Sequence, residues 1–394
     1  MKLERMPRKR VCAYQLAERR MDNETGKLAI VARAVNVRTQ TFVLRHMKHI
    51  FGGRTVIVST KNFDEPVFGK PTFTYKRSRI DQFARKLGIP LPGWLQDALL
   101  GPADGFREFF DQQGVNAVLC EFGYVTAEIG PQLLKTGRPV FTMFRGSDAS
   151  SKLSDSGYRR RMAEILPKLG GVIAVSSHLL DNLSRHGLSH PRSIVVPSGV
   201  DTQRFLPGKP EPGRCVCVGR LVPKKAPDKL LRAFATVAEK HDLKLEFVGY
   251  GSALQSLQRL ADELKVADRV TFSGYLPHDE IIGRLQRASM YIQHFQTAAS
   301  GNTEGMPNVI QEAMSCGLPI VTTNHAGIPD HISSGVNGLL VEEGDLAGFS
   351  GALDKLAGDA KLRKRLGTAA RAYAVENIDY RICHARIEDF IGMT

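Results

Sequence analysis

Glu304 and Glu312 stand eight positions apart in the run Glu304-Gly-Met-Pro-Asn-Val-Ile-Gln-Glu312. Proline fixes φ and carries no N–H, so Pro307 suits the first position of a helix, predicted over 307–316 and stopped by Gly317. Glu304 then lies in the loop before the helix and Glu312 inside it. The amides of Gly305, Met306 and Asn308 fall at the positive end of the helix dipole, a setting that favours phosphate oxygens. Carboxylates repel phosphate but accept hydrogen bonds from hydroxyls. Two acids flanking an anion site therefore suit a ligand with both a diphosphate and diols, and a nucleotide-sugar has both. The plainer alternative is a first-turn acid complementing the dipole and a solvated helix glutamate, favoured for an isolated pair.

Cations stand where they could meet such a ligand. Val218-Gly-Arg-Leu-Val-Pro-Lys-Lys225 follows an apolar run that reads as a strand, so Arg220 and Lys225 are expected at that strand's carboxyl end, facing the same rim as Glu304. Two fixed cations there could clamp a diphosphate and stabilise the charge that develops as it leaves; a surface basic loop is the rival reading. Val248-Gly-Tyr-Gly-Ser252 repeats the strand and glycine turn, making Gly251 a candidate for close ligand approach. Gly274 and Tyr275, in Gly274-Tyr-Leu-Pro277, could contact a base, though each segment is also explained as a plain turn. In the first half, Phe144-Arg-Gly-Ser-Asp148 gathers Arg145, Gly146 and Asp148 at a strand edge, where they could act on sugar hydroxyls or the leaving phosphate, or form a structural Arg–Asp pair. His46, His49, His178 and His186 lack metal-ligand spacing, and no metal site is expected.

The elements that must position these residues alternate regularly. Strands are predicted at 28–32, 55–59, 117–120, 140–144 and 172–175, with a helix over 39–50 and another around 106–110; residues 61–113 are otherwise hard to parse. After the turn-rich stretch Val195 to Asp201, the segment Pro207-Gly-Lys-Pro-Glu-Pro-Gly213 marks a linker. The pattern then restarts, with strands at 215–218, 244–248, 270–272, 290–292 and 320–322 and helices at 227–239, 252–264 and 279–287. Short apolar strands separated by helices indicate doubly wound parallel sheets, which bind ligands beyond the carboxyl ends of their strands. Two such domains facing each other would leave a cleft. The division expected is a basic leader over 1–26, an acceptor-binding Rossmann-like domain over 27–199, a nucleotide-sugar-binding one over 200–378, and a closing helix over 379–394 that packs back on the first domain.

A length of 394 residues gives each domain an ample core. The net charge of +14 is lopsided: residues 1–199 hold 31 Lys and Arg against 17 Asp and Glu, whereas residues 200–394 hold 23 of each. Clusters at Arg8–Arg10, Lys76–Arg79 and Arg159–Arg161 could meet an anionic acceptor or an anionic membrane surface, or simply form a solvated face. Nucleic acid ranks last as a partner, because no recognition motif accompanies the charge. Six cysteines without paired metal spacing, two of them alternating in the strand-like Cys215-Val-Cys217, suggest reduced, buried thiols. No stretch reaches the roughly 20 apolar residues of a membrane span, and no apolar core follows the basic Met1 to Arg10. A cytoplasmic protein, peripheral to the inner membrane face if it docks there, is expected.

Assembled, these residues resemble a retaining glycosyltransferase of family four, with the GT-B fold of two facing Rossmann-like domains. The resemblance rests on Val196-Pro-Ser-Gly-Val-Asp201, Gly219-Arg-Leu with Lys225, and Glu304 to Glu312 continuing into Ala313-Met-Ser-Cys-Gly-Leu-Pro319. Thr297 to Glu304 together with His325-Ala-Gly-Ile-Pro329 is similar to transferases of bacterial exopolysaccharide assembly. It implies that Glu312 binds the ribose diol, that Glu304 reaches hydroxyls of the donor sugar, and that Arg220 and Lys225 hold the diphosphate. It further implies sugar transfer with retention from a UDP or GDP donor to a glycan, glycolipid or other hydroxyl acceptor, without metal or cofactor. The leaving phosphate would then assist deprotonation of the acceptor. A GT-B epimerase and a non-catalytic sugar-nucleotide or polyanion binder are the rival functions. The chain departs from the family in placing Arg145 where a histidine commonly precedes Gly-Ser-Asp, Ala226 where glycine usually follows the lysine, and Gln40 at a frequent acid. Arginine cannot serve as a base at neutral pH, but it can bind phosphate or an anionic group.

Overall fold

The strands of the first half are β1 (Lys27–Ala32), β2 (Thr55–Ser59), β3 (Thr72–Thr74), β4 (Val115–Cys120), β5 (Val140–Phe144), β6 (Gly171–Ala174) and β7 (Ser193–Val195). Those of the second are β8 (Arg214–Val218), β9 (Lys244–Val248), β10 (Val270–Gly274), β11 (Met290–Gln293), β12 (Ile320–Thr323) and β13 (Leu339–Val341). The structure is a computed structural model and describes residues 26–33, 41–60, 67–75 and 104–392. The basic leader, Gln40, Cys12 and the Lys76–Arg79 cluster lie outside the described residues.

Continuous apolar runs such as Val140–Phe144, buried along their whole length, belong in sheets covered on both faces by helices. Every strand pair in both sheets is parallel. The first sheet has the order β3-β2-β1-β4-β5-β6-β7 and the second β10-β9-β8-β11-β12-β13. In each, the order reverses beside the first strand, between β1 and β4 and between β8 and β11. A crevice opens at such a point because successive crossovers leave in opposite directions, and ligands bind there beyond the strand carboxyl ends. Glu121, Arg220 and Glu304 all follow strands at or next to these two points.

Alternation along β8 sends Cys215 and Cys217 into the core cluster on one face of the second sheet and Val216 and Val218 into the cluster on the other. Burial pushes both thiols up to about 12, so they remain protonated. The cysteines of the described residues are free and buried.

Several element ends differ from the sequence expectation. The helix expected over 39–50 ends at His49 and passes into a 3-10 turn at Ile50–Gly53, its first two expected residues lying outside the described residues. The helix from Pro227 ends at Ala235 rather than 239. Pro307 is not the first helical residue: its ψ of 125° is extended, so it caps a helix of Asn308–Ser315. The helix expected around 106–110 is present at Asp104–Gln113, with Phe106 and Phe110 buried on one face, whereas β3, three partly buried residues, was not marked by any periodicity.

The chain crosses between the sheets after β7, where Val200 bridges Asp379. The last helix, Tyr380–Ile391, returns to the first half, and its Cys383, Ile387 and Ile391 are part of that core.

Candidate active site

A cleft of about 660 Å³ lies between the facing strand ends, within the usual range for a small-ligand site. Its second-domain wall begins at β8. After Val218 the chain turns through Gly219 and Arg220 into a 3-10 turn, Pro223–Lys225. This turn delivers Lys224 and Lys225 to one acceptor: their ammonium groups lie 3.2 Å and 3.3 Å from Glu304 Oε1. Burial would raise the Glu304 carboxyl, but the pull of Lys225 and Lys224 outweighs it and holds the group down at about 2. Burial lowers the Lys224 ammonium, with Glu304 opposing. Lys225 also sits 4.7 Å above the Phe295 ring. Arg220, on the same loop, is exposed and lines the cleft without an ion pair to Glu304. Ala226, where the family usually has glycine, ends the turn with φ 34° and ψ 53°, a left-handed conformation that a side chain strains.

Glu304 stands in the loop between β11 and the Asn308–Ser315 helix. No side chain caps that helix, and Met306 and Pro307 just ahead of it line the cleft together with Asn308 at its start. Glu312, one turn in, is buried and its Oε1 lies 3.1 Å from His278 Nε2. Gly305 touches the opposite domain: a Cβ there would come within 2.5 Å of the Arg145 carbonyl oxygen and of Val175. Its glycine identity serves close approach of the two halves, and it does not line the cleft.

The first-domain wall is built on β4 and β5. Arg145 does not pair with Asp148 as one sequence reading had it. Its Nε donates to Glu121 Oε2 at 3.1 Å, its Nη2 donates to the same oxygen, and its Nη1 donates to Ser198 Oγ at 2.9 Å. The guanidinium lies 4.1 Å from the centre of the Phe42 ring. Glu121 is fully buried and meets His46 Nδ1 at 2.6 Å through its other oxygen. Burial would raise the Glu121 carboxyl, yet His46 and Arg145 hold it at about 2. Asp148 is also buried, accepting from the amides of Gly123, Arg145 and Gly146 at 2.9–3.0 Å. It ties the loop after β5 to the helix after β4 and does not face the cleft, so an acceptor-side contact for it is set aside. Gly146 is buried against Thr303 and the Gly305 amide.

The cleft thus brings together Arg145, Arg220, Lys225, Tyr275, Glu304, Met306, Pro307, Asn308 and Glu312. It leaves out Gly146, Gly251, Gly274 and Gly305, the four glycines singled out in the sequence. Gly251 packs on the Leu221 backbone, where a Cβ would be 2.2 Å from its carbonyl oxygen, and Gly274 ends β10 with φ 66°, facing open space. Gly249 and Tyr250 line the cleft in place of Gly251, and Tyr250 meets Tyr275 edge-on with ring centres 6.3 Å apart. Residues that sequence reasoning missed are Lys224, Glu121, His278 and Ser198. Lys224 adjoins Lys225, Glu121 follows β4, and Ser198 stands in the motif over 196–201 just after β7, so all three carried a signal in the sequence; His278 carries no such mark. Among the described residues, no group of three His, Cys, Asp or Glu could hold a metal ion.

Residues 200–373 match the model of a family described as Glycosyl transferases group 1. The chain is 31% identical over 211 residues to a GDP-mannose-dependent alpha-(1-6)-phosphatidylinositol monomannoside mannosyltransferase of Mycolicibacterium smegmatis, covering 50% of this chain and 55% of that protein. It is 28% identical over 249 residues to the putative colanic acid biosynthesis glycosyltransferase WcaL of Escherichia coli, covering 62% of this chain and 59% of that protein. The chain therefore spans little more than half the length of these two relatives. Among solved structures, it resembles Anabaena Alr3699/HepE in complex with UDP, with a TM-score of 0.74 at 16% identity over 93% of this chain and 100% of that one. The fold is GT-B, as expected from the sequence.

Proposed function

We propose that the protein is a retaining glycosyltransferase that moves a hexose-like sugar from a UDP- or GDP-sugar to a hydroxyl of a glycan or glycolipid. The observation that carries this reading is the placement of Glu304 and Glu312 on either side of an uncapped helix N-terminus, with Arg220, Lys224 and Lys225 at the same rim. Glu312 would take the ribose diol and Glu304 the donor sugar's hydroxyls, while the three cations and the amides of Met306 and Asn308 offset the diphosphate charge. As the bond from the anomeric carbon to the phosphate oxygen breaks, that oxygen gains negative charge, which the fixed cations stabilise more in the transition state than in the ground state. The acceptor oxygen bonds to the same face of the sugar and its proton passes to the leaving phosphate. Arg145, half-neutralised by Glu121, offers its remaining N–H donors to sugar or acceptor and serves less as a free anion clamp than Arg220. The GDP-mannose dependence of the mycobacterial relative and the polysaccharide role of WcaL support this class of donor and acceptor.

Incubation with a panel of UDP- and GDP-sugars, with and without glycan and glycolipid acceptors, tests it. Nucleoside diphosphate release that requires an acceptor, with an α-linked product from an α-donor, is expected. Epimer formation, or binding without release across the panel, would replace the reading with an epimerase or a binding protein.

The basic first half supports a further part of this proposal, docking on an anionic membrane face. No helix among the described residues is long and apolar enough to cross a membrane. Co-sedimentation with liposomes should require anionic lipid and fall as salt rises; salt-independent association would sink the idea.

A further inference from the structure

His325 is not in contact with the cleft, yet it holds the residue that is. It follows β12 and is buried, with its ring stacked on Phe295 at an interplanar angle of 7°. Its Nε2 lies 3.1 Å from the Glu304 amide nitrogen. A backbone N–H can only donate, so Nε2 is the acceptor and the ring proton resides on Nδ1. That proton is donated to Glu343 Oε1, just beyond β13. A carboxylate on one ring nitrogen settles the tautomer and so fixes what the other nitrogen can do.

Glu343 reaches further. Its other oxygen accepts the Thr297 amide at 2.9 Å, so Glu343 and His325 together pin both ends of the loop over 297–304. Burial would raise the Glu343 carboxyl, but the His325 and Thr297 hydrogen bonds bring it below its ordinary range. Two residues beyond His325, the Gly327 amide donates to the Gly305 carbonyl at 3.0 Å. The main chain of residues 304 and 305 is therefore gripped from one segment, whereas the Glu304 side chain is aimed by lysines on another.

We propose that His325, oriented by Glu343, is a positioning residue that sets the Glu304 main chain so that its carboxylate meets the donor's sugar, and that it thereby governs recognition of the sugar rather than of the nucleotide. This rests on the donor reading above. The nucleotide half of that site is held by Glu312 and the β8 loop, neither of which His325 touches. A displacement of Glu304 by about 1 Å suffices to lose a hydroxyl contact.

Calorimetric titration with a nucleotide-sugar and with the matching nucleoside diphosphate separates the two halves. His325→Ala should weaken the nucleotide-sugar about tenfold or more, the worth of one charged hydrogen bond, and leave the diphosphate within about twofold. His325→Gln, whose amide oxygen can accept from the Glu304 N–H, should recover part of the loss. Glu343→Gln, which keeps an acceptor for Nδ1–H, is the milder variant and should shift the nucleotide-sugar alone, by less than His325→Ala. Equal weakening of both ligands, or no weakening of either, overturns the positioning role. Wild-type protein that binds the diphosphate but no nucleotide-sugar overturns the donor reading itself, and this inference with it.

Discussion

Lys225 and Glu304 face each other at 3.3 Å across the mouth of the cleft, joining the loop after β8 to the loop after β11. Lys224 shares the same carboxylate oxygen. Two ammonium groups on one carboxylate leave net positive charge, so under the proposed function an arriving diphosphate would compete for the lysines and free Glu304 for hydroxyls. Glu304→Gln keeps the shape but loses the charged acceptor, and kcat/KM should fall by about a hundredfold, comparable to removing one electrostatic contact from a transition state. Wild-type kinetics in that variant would remove Glu304 from the reaction.

Glu312 and His278, paired at 3.1 Å, make a different prediction, because the proposed donor pose puts the ribose at this pair. Glu312→Ala should weaken the nucleoside diphosphate and the nucleotide-sugar alike, by about ten- to a hundredfold. Titration with both ligands checks it, and unchanged diphosphate affinity would exclude Glu312 from ribose binding.

Ala226 pays in strain for its left-handed φ of 34°. Glycine at this position removes the Cβ conflict, so Ala226→Gly should stabilise the second domain by about 1 kcal/mol. Thermal melting should move up by about 2–4 °C. A fall in melting temperature would show that the Ala226 methyl group's packing outweighs the strain.

The Glu121 carboxyl carries a pH signature. Its folded value of about 2 lies below the ordinary 4.5, so between these values the unfolded chain binds the proton and the folded chain does not. The stability it contributes is complete above 4.5 and is lost as pH falls toward 2; Glu304 adds to the same window. Glu121→Gln should flatten this acid limb in urea unfolding measured from pH 6 to 3. Arg145→Met, which leaves the buried carboxylate with His46 alone, should cost about 3–5 kcal/mol at neutral pH. An acid limb unchanged in Glu121→Gln would refute the assignment.

Long, periodic or uniformly apolar segments were readable directly. The strands at Thr55–Ser59, Val140–Phe144 and Lys244–Val248 have the ends expected of them, because an apolar run between turn residues leaves little choice. Short elements such as β3, whose residues are only partly buried, carry no such pattern. Helix ends were misjudged at Ala235 and Pro307, where tertiary packing and the ψ of one residue decide the last turn. Arg220, Lys225 and Glu304 were legible as residues of one rim because each lies in a loop that follows a strand, and strand ends converge in a parallel sheet; Glu312 was legible from its place in the helix after Glu304.

Partnership was not legible. Sequence proximity suggested Arg145 with Asp148, three residues on, yet Arg145 pairs with Glu121, 24 residues back, since β4 and β5 are neighbours and their ends lie side by side. The same holds for His325 and Glu304, brought together from the ends of adjacent strands β11 and β12. The sequence alone determined the parallel architecture, the location of the excess charge and the residue types at the strand ends, because these follow from local periodicity and composition. Only the tertiary structure decided which of those residues touch, which glycines serve packing rather than ligand, and which carboxylates are neutralised, because strand order and interdomain approach set distances that no local pattern encodes.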